Sequence, residues 1–232
     1  MTISANQPYF MPYLPYWQLI DCADVFLVSD DYSFRKGSWI PRNRILVGGR
    51  VQFFRMEVEH QSSHRLIMDT ELVPFDPAAK LRTLEMAYHR APCFVDGYAL
   101  CERVLRFPGR NLCDFLTASI RQVCDYLYIT TSIGFTSGIP GNSALKFDER
   151  IYHFCRHFGA DTYVNAIGGQ GLYSFDAFRS HGLRLGFLRS EIPPYTQGAG
   201  AFVPGLSVID AIMNVPREQL RDMLGRRSFI YG

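Results

Sequence analysis

The beginning of the chain constrains its fold most strongly, because residues 6–17 combine three prolines with five aromatic residues. Proline fixes φ and has no backbone N–H donor, so this run cannot lie inside a strand or a helix. Residues 3–5 are typical of the end of a short strand, and a helix can begin near Pro15, since the first helical turn tolerates proline. The pattern predicts a stiff aromatic loop between a strand and a helix, which is suited to clasping a ligand.

The overall composition indicates an ordinary globular protein. Hydrophobic residues make up 47% of the 232 residues, enough for a sizeable core, and the net charge at pH 7 is only +2. This charge supplies no continuous basic surface, which argues against nucleic acid as a partner. The sequence has no apolar run long enough to span a membrane and no secretory signal pattern at its beginning, so we expect a cytoplasmic protein.

The six cysteines do not indicate a metal or a cofactor. They form no Cys-x-x-Cys pair, which argues against a zinc knuckle or a thioredoxin-like motif. Several fall on apolar helical patterns, where a cysteine is usually a small buried side chain. The cofactor, the metal requirement and the oligomeric state are therefore unknown from the sequence, and a small-molecule substrate is the expected partner.

Strand-like and helical patterns alternate at both ends of the chain. Residues 24–29, 162–167 and 183–188 have the composition of buried strands, whereas residues 76–127 contain three successive helical patterns. This alternation favours an α/β fold with a mainly parallel sheet sandwiched by helices. We predict a single domain over residues 1–232, with the helical middle third as an insertion or cap.

Two adjacent carboxylates, Asp30 and Asp31, follow the first buried strand pattern. In an open α/β sheet, ligands collect at the carboxyl edge of the strands, so one of these side chains can act as a base or bind Mg²⁺ beside a phosphate. Aspartates also form turns by bonding their own backbone. Both interpretations remain open, and the two residues are candidate catalytic groups.

A basic segment at residues 35–45 surrounds Trp39 and is predicted to be a loop. Arginine binds phosphate or carboxylate through two parallel hydrogen bonds, and tryptophan stacks on a base or a sugar face. Arg42 and Arg44 are therefore candidate anion ligands. A solvated loop anchored by one ring has the same composition, and this alternative is left open.

Residues 145–158 form an amphipathic helical pattern with a second, basic stripe. Lys146, Arg150, His153 and His157 share this stripe at helical spacing. The histidine pair lacks the intervening glutamate of a zincin, so we interpret the histidines as a solvated face. Lys146 is a candidate catalytic residue and Arg150 a candidate ligand.

Two further positions carry polar or glycine residues next to predicted elements. Asn165 ends a strand pattern and is followed by Gly168 and Gly169, which allow a ligand to approach the backbone closely but equally form a tight turn. Asp210 either completes a helix capping box with Ser207 or faces a pocket.

Ordered motifs run through most of the chain, among them Gln-Pro-Tyr-Phe at 7–10, Lys-Gly-Ser-Trp-Ile at 36–40 and Asn-Ala-Ile-Gly-Gly at 165–169. In these motifs the chain resembles the WbqC-like protein family, nearly end to end. Further blocks that resemble the family lie at residues 12–20, 24–31, 42–46, 88–94, 145–151, 159–163, 172–173, 195–197 and 202–210.

The chain departs from the family pattern at a few positions. Pro15 replaces a usual glycine, Pro41 replaces a usual asparagine, and Tyr32 stands where valine is typical. Residues 50–71 match poorly. Since Pro15 stiffens the aromatic loop further, the loop geometry is expected to differ from that of other members.

The family is associated with bacterial surface-polysaccharide (O-antigen) gene clusters, and this resemblance implies a nucleotide-activated or amino sugar as ligand. It also implies that the motif residues Asn43, Tyr173, Tyr195 and Gln197 belong to a working site.

Our first hypothesis is a cytoplasmic enzyme, most plausibly a transferase, that modifies a sugar or sugar-nucleotide precursor. In this hypothesis Asn6 and Gln7 orient polar ligand groups, while Tyr9, Tyr16 and Trp39 stack on the ligand. The arginines and Lys146 hold anions, with one aspartate as base or metal ligand. The hypothesis requires the aromatic loop, the acidic strand end and the Trp39 loop to share one cavity.

Two alternatives remain open. One is a non-catalytic ligand-binding or scaffold protein of the same pathway. The other is a Rossmann-like nucleotidyl-transfer enzyme, in which the turn after the first strand cradles phosphates, although the paired histidines usual in such turns are missing here.

Overall fold

A six-stranded, mostly parallel sheet forms the centre of the computed structural model, which describes residues 1–198 and 200–232. The strands in chain order are β1 (Thr2–Asn6), β2 (Val25–Val28), β3 (Arg42–Val47), β4 (Arg50–Arg55), β5 (Ser132–Phe135), β6 (Thr162–Ala166), β7 (Arg184–Ser190) and β8 (Arg227–Tyr231). The central sheet has the order β5-β2-β1-β6-β7-β8, with only β8 antiparallel, and β3 and β4 form a separate hairpin. The predicted α/β class is confirmed.

The helices lie on both faces of this sheet. They are α1 (Leu14–Asp21), α2 (Pro77–Tyr88), α3 (Phe94–Leu105), α4 (Leu112–Tyr126), α5 (Asp148–Phe158), α6 (Phe175–Ser180), α7 (Val208–Asn214) and α8 (Arg217–Leu224), with short 3-10 helices at Ile67–Asp69, Asn142–Ala144 and Ile167–Leu172. A capping aspartate, Asp76, accepts hydrogen bonds from the first-turn amides of α2, as its sequence position predicts.

Two hydrophobic cores cover the two faces, because successive side chains of a strand point in opposite directions. In β2, Phe26 and Val28 pack into the larger core with α1–α4, α7 and α8, whereas Leu27 packs into the smaller core with α5 and α6. The helices α2–α4 therefore share a core with the rest of the larger layer. Their origin as an insertion or cap stays a prediction.

The order of the strands creates a topological switch point between β1 and β6. From β1 the chain proceeds to β2 and β5 on one side, and from β6 it proceeds to β7 and β8 on the other. Parallel sheets of this kind open a crevice at the carboxyl ends of the two strands where the direction reverses. Here those ends carry Asn6 and Asn165.

The beginning of α5 differs from the sequence prediction. The helix was predicted from residue 145, but Phe147 adopts φ 46° and ψ −127°, so α5 begins at Asp148. Lys146 therefore precedes the helix and does not share a stripe with Arg150. The amphipathic pattern over residues 145–158 predicts that Phe147 packs with the apolar face, but its side chain is 86% exposed.

The basic segment around Trp39 is only partly a loop. Residues 42–45 belong to β3, because they pair with β4 in a regular antiparallel register. The carboxyl-terminal strand β8, which pairs with β7, was not predicted. Its short sequence, Arg-Ser-Phe-Ile-Tyr, has only three consecutive apolar or aromatic residues, too few to distinguish it from a loop.

Side chains from distant segments clamp the aromatic loop. Residues 10–12 are buried, so their carbonyl groups need donors from the protein. The Asn43 amide donates to the carbonyls of residues 10 and 11, at 3.3 and 3.0 Å. The Ser207 hydroxyl donates to the carbonyl of residue 11 at 2.6 Å, and the Trp17 indole donates to that of residue 12 at 2.9 Å. The predicted stiff loop thus lies between β3, α1 and α7.

We expect Asn43→Ala to lower the free energy of unfolding by about 1–3 kcal/mol, because it leaves the buried carbonyl of residue 10 without a donor and that of residue 11 with Ser207 alone. Chemical denaturation measures this change. Gln52→Ala removes an exposed amide from the neighbouring strand β4 and is the matched control. Equal stability of the two variants would contradict the clamp.

Candidate functional site

The switch point carries two asparagines in the same local arrangement. Asn6 Oδ1 accepts a hydrogen bond from the next backbone amide at 2.9 Å, and Asn165 Oδ1 does so at 2.8 Å. Each side chain thus turns the backbone at the carboxyl end of its strand. A Cβ atom on Gly169 would lie 2.8 Å from Asn165 Nδ2, so this glycine permits the close approach, whereas Gly168 has open space around it.

The acidic strand end is buried and fully engaged with the protein. Asp30 is 4% exposed and accepts hydrogen bonds from the Ser137 hydroxyl and from the Ser137 backbone amide, the latter at 3.1 Å. Asp31 forms a buried ion pair with Arg150 and lies 2.6 Å from the Thr136 hydroxyl. The two carboxylates therefore tie the end of β2 to the segment after β5 and to α5.

A groove of about 800 Å³ opens beside this ion pair. We call it the Lys146 groove. It is lined by Tyr32, Leu145, Lys146, Phe147, Asp148, Glu149, Arg150, Ile151, Leu172 and Tyr173. Among the residues predicted as ligands or catalytic groups, Lys146, Arg150 and Tyr173 thus come together here.

Sequence reasoning missed several residues of the Lys146 groove. Asp148 and Glu149 were overlooked because a continuous helical pattern over residues 145–158 does not reveal that α5 begins at Asp148. Desolvation raises the pKa of Asp148 and of Tyr32, and it also raises that of Tyr173. Tyr32, which differs from the usual family residue, lies under the Arg150 guanidinium at 4.6 Å from its ring centre.

A second cavity, of about 340 Å³, lies between the aromatic loop and the β3 segment. We call it the Trp39 pocket. It is lined by Tyr9, Pro12, Tyr13, Trp39, Asn43, Arg44 and Gly205. Trp39 and Tyr13 are 45% and 42% exposed, so both rings are available for contact. Arg44 Nη2 donates to the Gly205 carbonyl at 3.0 Å, and its guanidinium lies 5.6 Å from the centre of the Trp39 ring.

Two other predicted site residues, Arg42 and Tyr16, do not line this pocket. Arg42 donates to the Gly37 carbonyl and packs over Phe53 at 4.6 Å, which shapes the Trp39 loop. The stacking role predicted for Tyr16 is wrong, because this ring is 3% exposed and belongs to the core. Its hydroxyl donates to the Gln7 carbonyl at 2.9 Å.

The hypothesis of one shared cavity is correct for two of its three parts. The aromatic loop and the Trp39 loop share the Trp39 pocket, whereas Asp30 and Asp31 line neither cavity. Both cavities use segments that leave the carboxyl edge of the sheet: Tyr9 follows β1 by three residues, and Tyr32 follows β2 by four. Asp30 and Asp31 support this edge through their hydrogen bonds and the ion pair with Arg150.

Four other motif residues form a separate cluster, and three of them (Tyr88, Gln197 and Asp210) line a further cavity of about 610 Å³. Asp210 is fully buried and accepts hydrogen bonds from Tyr88 at 3.1 Å, and from Tyr195 and Gln197 at 2.8 Å each. The Ser207 hydroxyl caps α7 by accepting a hydrogen bond from the Ile209 amide. This contact is the serine half of the predicted capping box. Desolvation raises the pKa of Asp210, although its three hydrogen bonds act in the opposite direction.

Five of the six cysteines are unsuited to nucleophilic catalysis. Burial raises the pKa of five thiols to about 12: Cys22, Cys101, Cys113, Cys124 and Cys155. Such thiols stay protonated at neutral pH, and the thiolate is the reactive form.

Residues 1–198 and 200–232 contain no helix that is both long and apolar enough to cross a membrane. Within this described part of the chain, no three histidine, cysteine, aspartate or glutamate side chains are grouped as metal ligands.

The fold and these sites define an α/β protein with polar residues gathered at the switch point of a mostly parallel sheet. The WbqC-like protein family matches residues 7–222, and the chain belongs to this family. It is also similar to the uncharacterized protein Rv1507c of Mycobacterium tuberculosis (strain ATCC 25618 / H37Rv), with 26% identity over 220 residues, which cover 93% of this chain and 94% of the relative. A search of solved structures gave no significant match.

We expect Arg150→Met to destabilise the protein by about 3–5 kcal/mol, because it leaves the Asp31 carboxylate buried without its partner. Adding Asp31→Asn to this variant should recover part of the loss, as a double-mutant cycle measured by chemical denaturation will detect. Arg156→Met on the exposed side of α5 is the control. An equal loss for both arginine variants would contradict the assigned ion pair.

The raised pKa of Asp210 predicts how the stability of the folded state changes with pH. Its ionisation disfavours the folded state at neutral pH, and this penalty disappears as the pH falls through the folded-state pKa towards the ordinary value of about 3.9. Asp210→Asn carries no such penalty. The melting temperature of the wild type should therefore rise relative to that of Asp210→Asn between pH 7 and pH 4. Asp222→Asn, at an exposed position in α8, is the control, and a constant wild-type-to-Asp210→Asn difference would refute the prediction.

Proposed function

We propose that the protein is a cytoplasmic transferase that acts on a nucleotide-activated sugar in bacterial surface-polysaccharide (O-antigen) biosynthesis. The single observation that carries this proposal is the chemistry of the Trp39 pocket. It combines exposed aromatic rings with an arginine and has no acidic residue in its lining. Stacking on a base and charge-assisted bonds to a phosphate require this combination.

The position of the site gives further support. Nucleotide ligands of open α/β sheets bind outside the carboxyl ends of the strands at the switch point. Asn6 and Asn165 mark that point, and Tyr9 and Tyr32 lie on segments that leave the same edge. The association of the WbqC-like family with surface-polysaccharide gene clusters favours an activated sugar over other nucleotides.

The residues have different roles in this proposal. In the transfer step, the bond from the anomeric carbon to the diphosphate oxygen breaks, and the acceptor oxygen forms a new bond to that carbon. We assign the acceptor proton to the Asp148 carboxylate, because this side chain lines the Lys146 groove and has a raised pKa. Arg44 in the Trp39 pocket balances the negative charge on the departing diphosphate, and Lys146 lines the groove that receives the acceptor. Asp30 and Asp31 position Arg150 and the segment after β5.

A purified sample should gain thermal stability with at least one member of a panel of nucleoside diphosphates and nucleotide sugars. At a ligand concentration 100 times the Kd, binding adds about 2.7 kcal/mol to the free energy of unfolding. Trp39→Ala and Arg44→Ala should each weaken this binding about tenfold or more, since each removes one of the two recognised chemistries. Arg50→Ala, an exposed arginine of the same hairpin, should not.

The absence of a shift with every nucleotide would refute the proposed ligand class. A non-catalytic ligand-binding protein is the second candidate, because Asp30 and Asp31 are already bonded within the protein. A measurement of turnover distinguishes this candidate from the enzyme. Release of nucleoside diphosphate that Lys146→Ala and Asp148→Asn abolish supports the transferase. Nucleotide binding without any turnover, together with cells that tolerate Lys146→Ala but not Trp39→Ala, would identify a ligand-binding protein of the pathway.

A further inference from the structure

Phe147 adopts a backbone conformation that a bulky residue rarely has. Its φ is 46° and its ψ is −127°. Glycine adopts this combination without strain, whereas the Cβ atom of phenylalanine makes it strained. Strain of this kind persists only where the surrounding structure enforces it, and it is concentrated at functional sites. The conformation does not serve the core, because the ring is 86% exposed.

The exposed ring belongs to an apolar rim. Leu172 is 72% exposed and lines the Lys146 groove together with Phe147. Two tyrosines, Tyr32 and Tyr173, line the same groove. Met86, which is exposed to a similar extent on α2, has an ordinary backbone conformation and serves below as a comparison.

The charges in the groove do not favour a phosphate. Asp148 and Glu149 contribute two carboxylates, and Lys146 contributes one ammonium group. The Arg150 guanidinium is already occupied by Asp31. Among the described residues, no ion pair engages the three other charged groups, so they are available to a ligand.

This arrangement suits a sugar ring. Carboxylates accept hydrogen bonds from hydroxyl groups, and they attract an ammonium group if one is present. The negative face of an aromatic ring attracts the C–H groups on the apolar face of a pyranose, and it attracts an ammonium group more strongly. The Trp39 pocket, with an arginine and no carboxylate, has the opposite preference.

We infer that the Lys146 groove is a subsite for an uncharged or amino sugar, in which Phe147 stacks on the ring and Asp148 and Glu149 accept hydrogen bonds from its hydroxyl groups. This inference rests on the proposed function, for which it supplies the acceptor subsite. It divides the site chemically: the nucleotide of the donor binds in the Trp39 pocket and the acceptor sugar binds in the groove.

The test is an NMR titration of the full chain with methyl glycosides of glucosamine, N-acetylglucosamine and glucose, and with glucose 6-phosphate as the anionic comparison. At least one uncharged or amino glycoside should bind more tightly than glucose 6-phosphate and shift the amide resonances of Phe147 and Tyr173. Phe147→Ala should weaken this binding about fivefold or more, as the loss of an aromatic contact predicts. Phe147→Tyr should retain it, and Met86→Ala should leave it unchanged.

Phe147→Gly provides a second, independent measurement. Glycine accepts the positive φ without strain, so this variant should melt at a higher temperature than the wild type while its sugar binding is weakened as in Phe147→Ala. If Phe147 served only the fold, its replacement by glycine would not raise the melting temperature while weakening sugar binding.

Several outcomes would overturn the inference: no glycoside binds, glucose 6-phosphate binds best, or Phe147→Ala leaves sugar binding intact. A change in self-association of Phe147→Ala on analytical ultracentrifugation, with unchanged sugar binding, would instead identify Phe147 as a protein contact. Nucleotide binding is measured separately, and Phe147→Ala should not affect it. A failure of nucleotide binding therefore refutes the proposed function, while the glycoside titration decides the subsite.

Discussion

The buried carbonyl groups of residues 10–12 are the constraint on which the rest of the site depends. Pro8 just before this stretch and Pro12 at its end prevent it from joining a strand or a helix, so its carbonyl groups must find donors elsewhere. Asn43 of β3 and Ser207 at the start of α7 supply two of them. Because these contacts fix β3 against the aromatic loop, the rings and the arginine that line the Trp39 pocket are held in place before any ligand arrives.

A second set of polar contacts supports the carboxyl edge of the sheet. Asp30 joins the ends of β2 and the segment after β5, and Asp31 reaches α5 through Arg150. Buried charges are tolerated in a protein when they are paired and hydrogen-bonded. This explains why the adjacent acidic residues at the end of β2 support the sheet edge here. The free charged side chains of the Lys146 groove come instead from residues 146–149.

Much of the fold follows from local patterns, and the failures have local causes. The buried strand β2, the stiff loop after β1 and the Asp76 cap of α2 are visible in the sequence, because each depends on neighbouring residues. The predicted start of α5 is wrong because helical periodicity does not reveal the positive φ of Phe147. Strand β8 depends on pairing with β7, and the partners of Asp210 lie up to 122 residues away, so no local pattern contains them. The separation of the Lys146 groove from the Trp39 pocket likewise depends on tertiary structure.

Side chains from β3 and α7 help to hold the segment that follows β7. Tyr195 and Gln197 hold its first half to Asp210 of α7, and Gly205 near its end binds Arg44 while forming part of the Trp39 pocket wall. A molecule that draws the Arg44 guanidinium away from the Gly205 carbonyl therefore competes with an internal hydrogen bond. The arginine of the pocket is thus not idle before an anion binds, because part of the free energy of binding is used to replace a contact that the protein already makes.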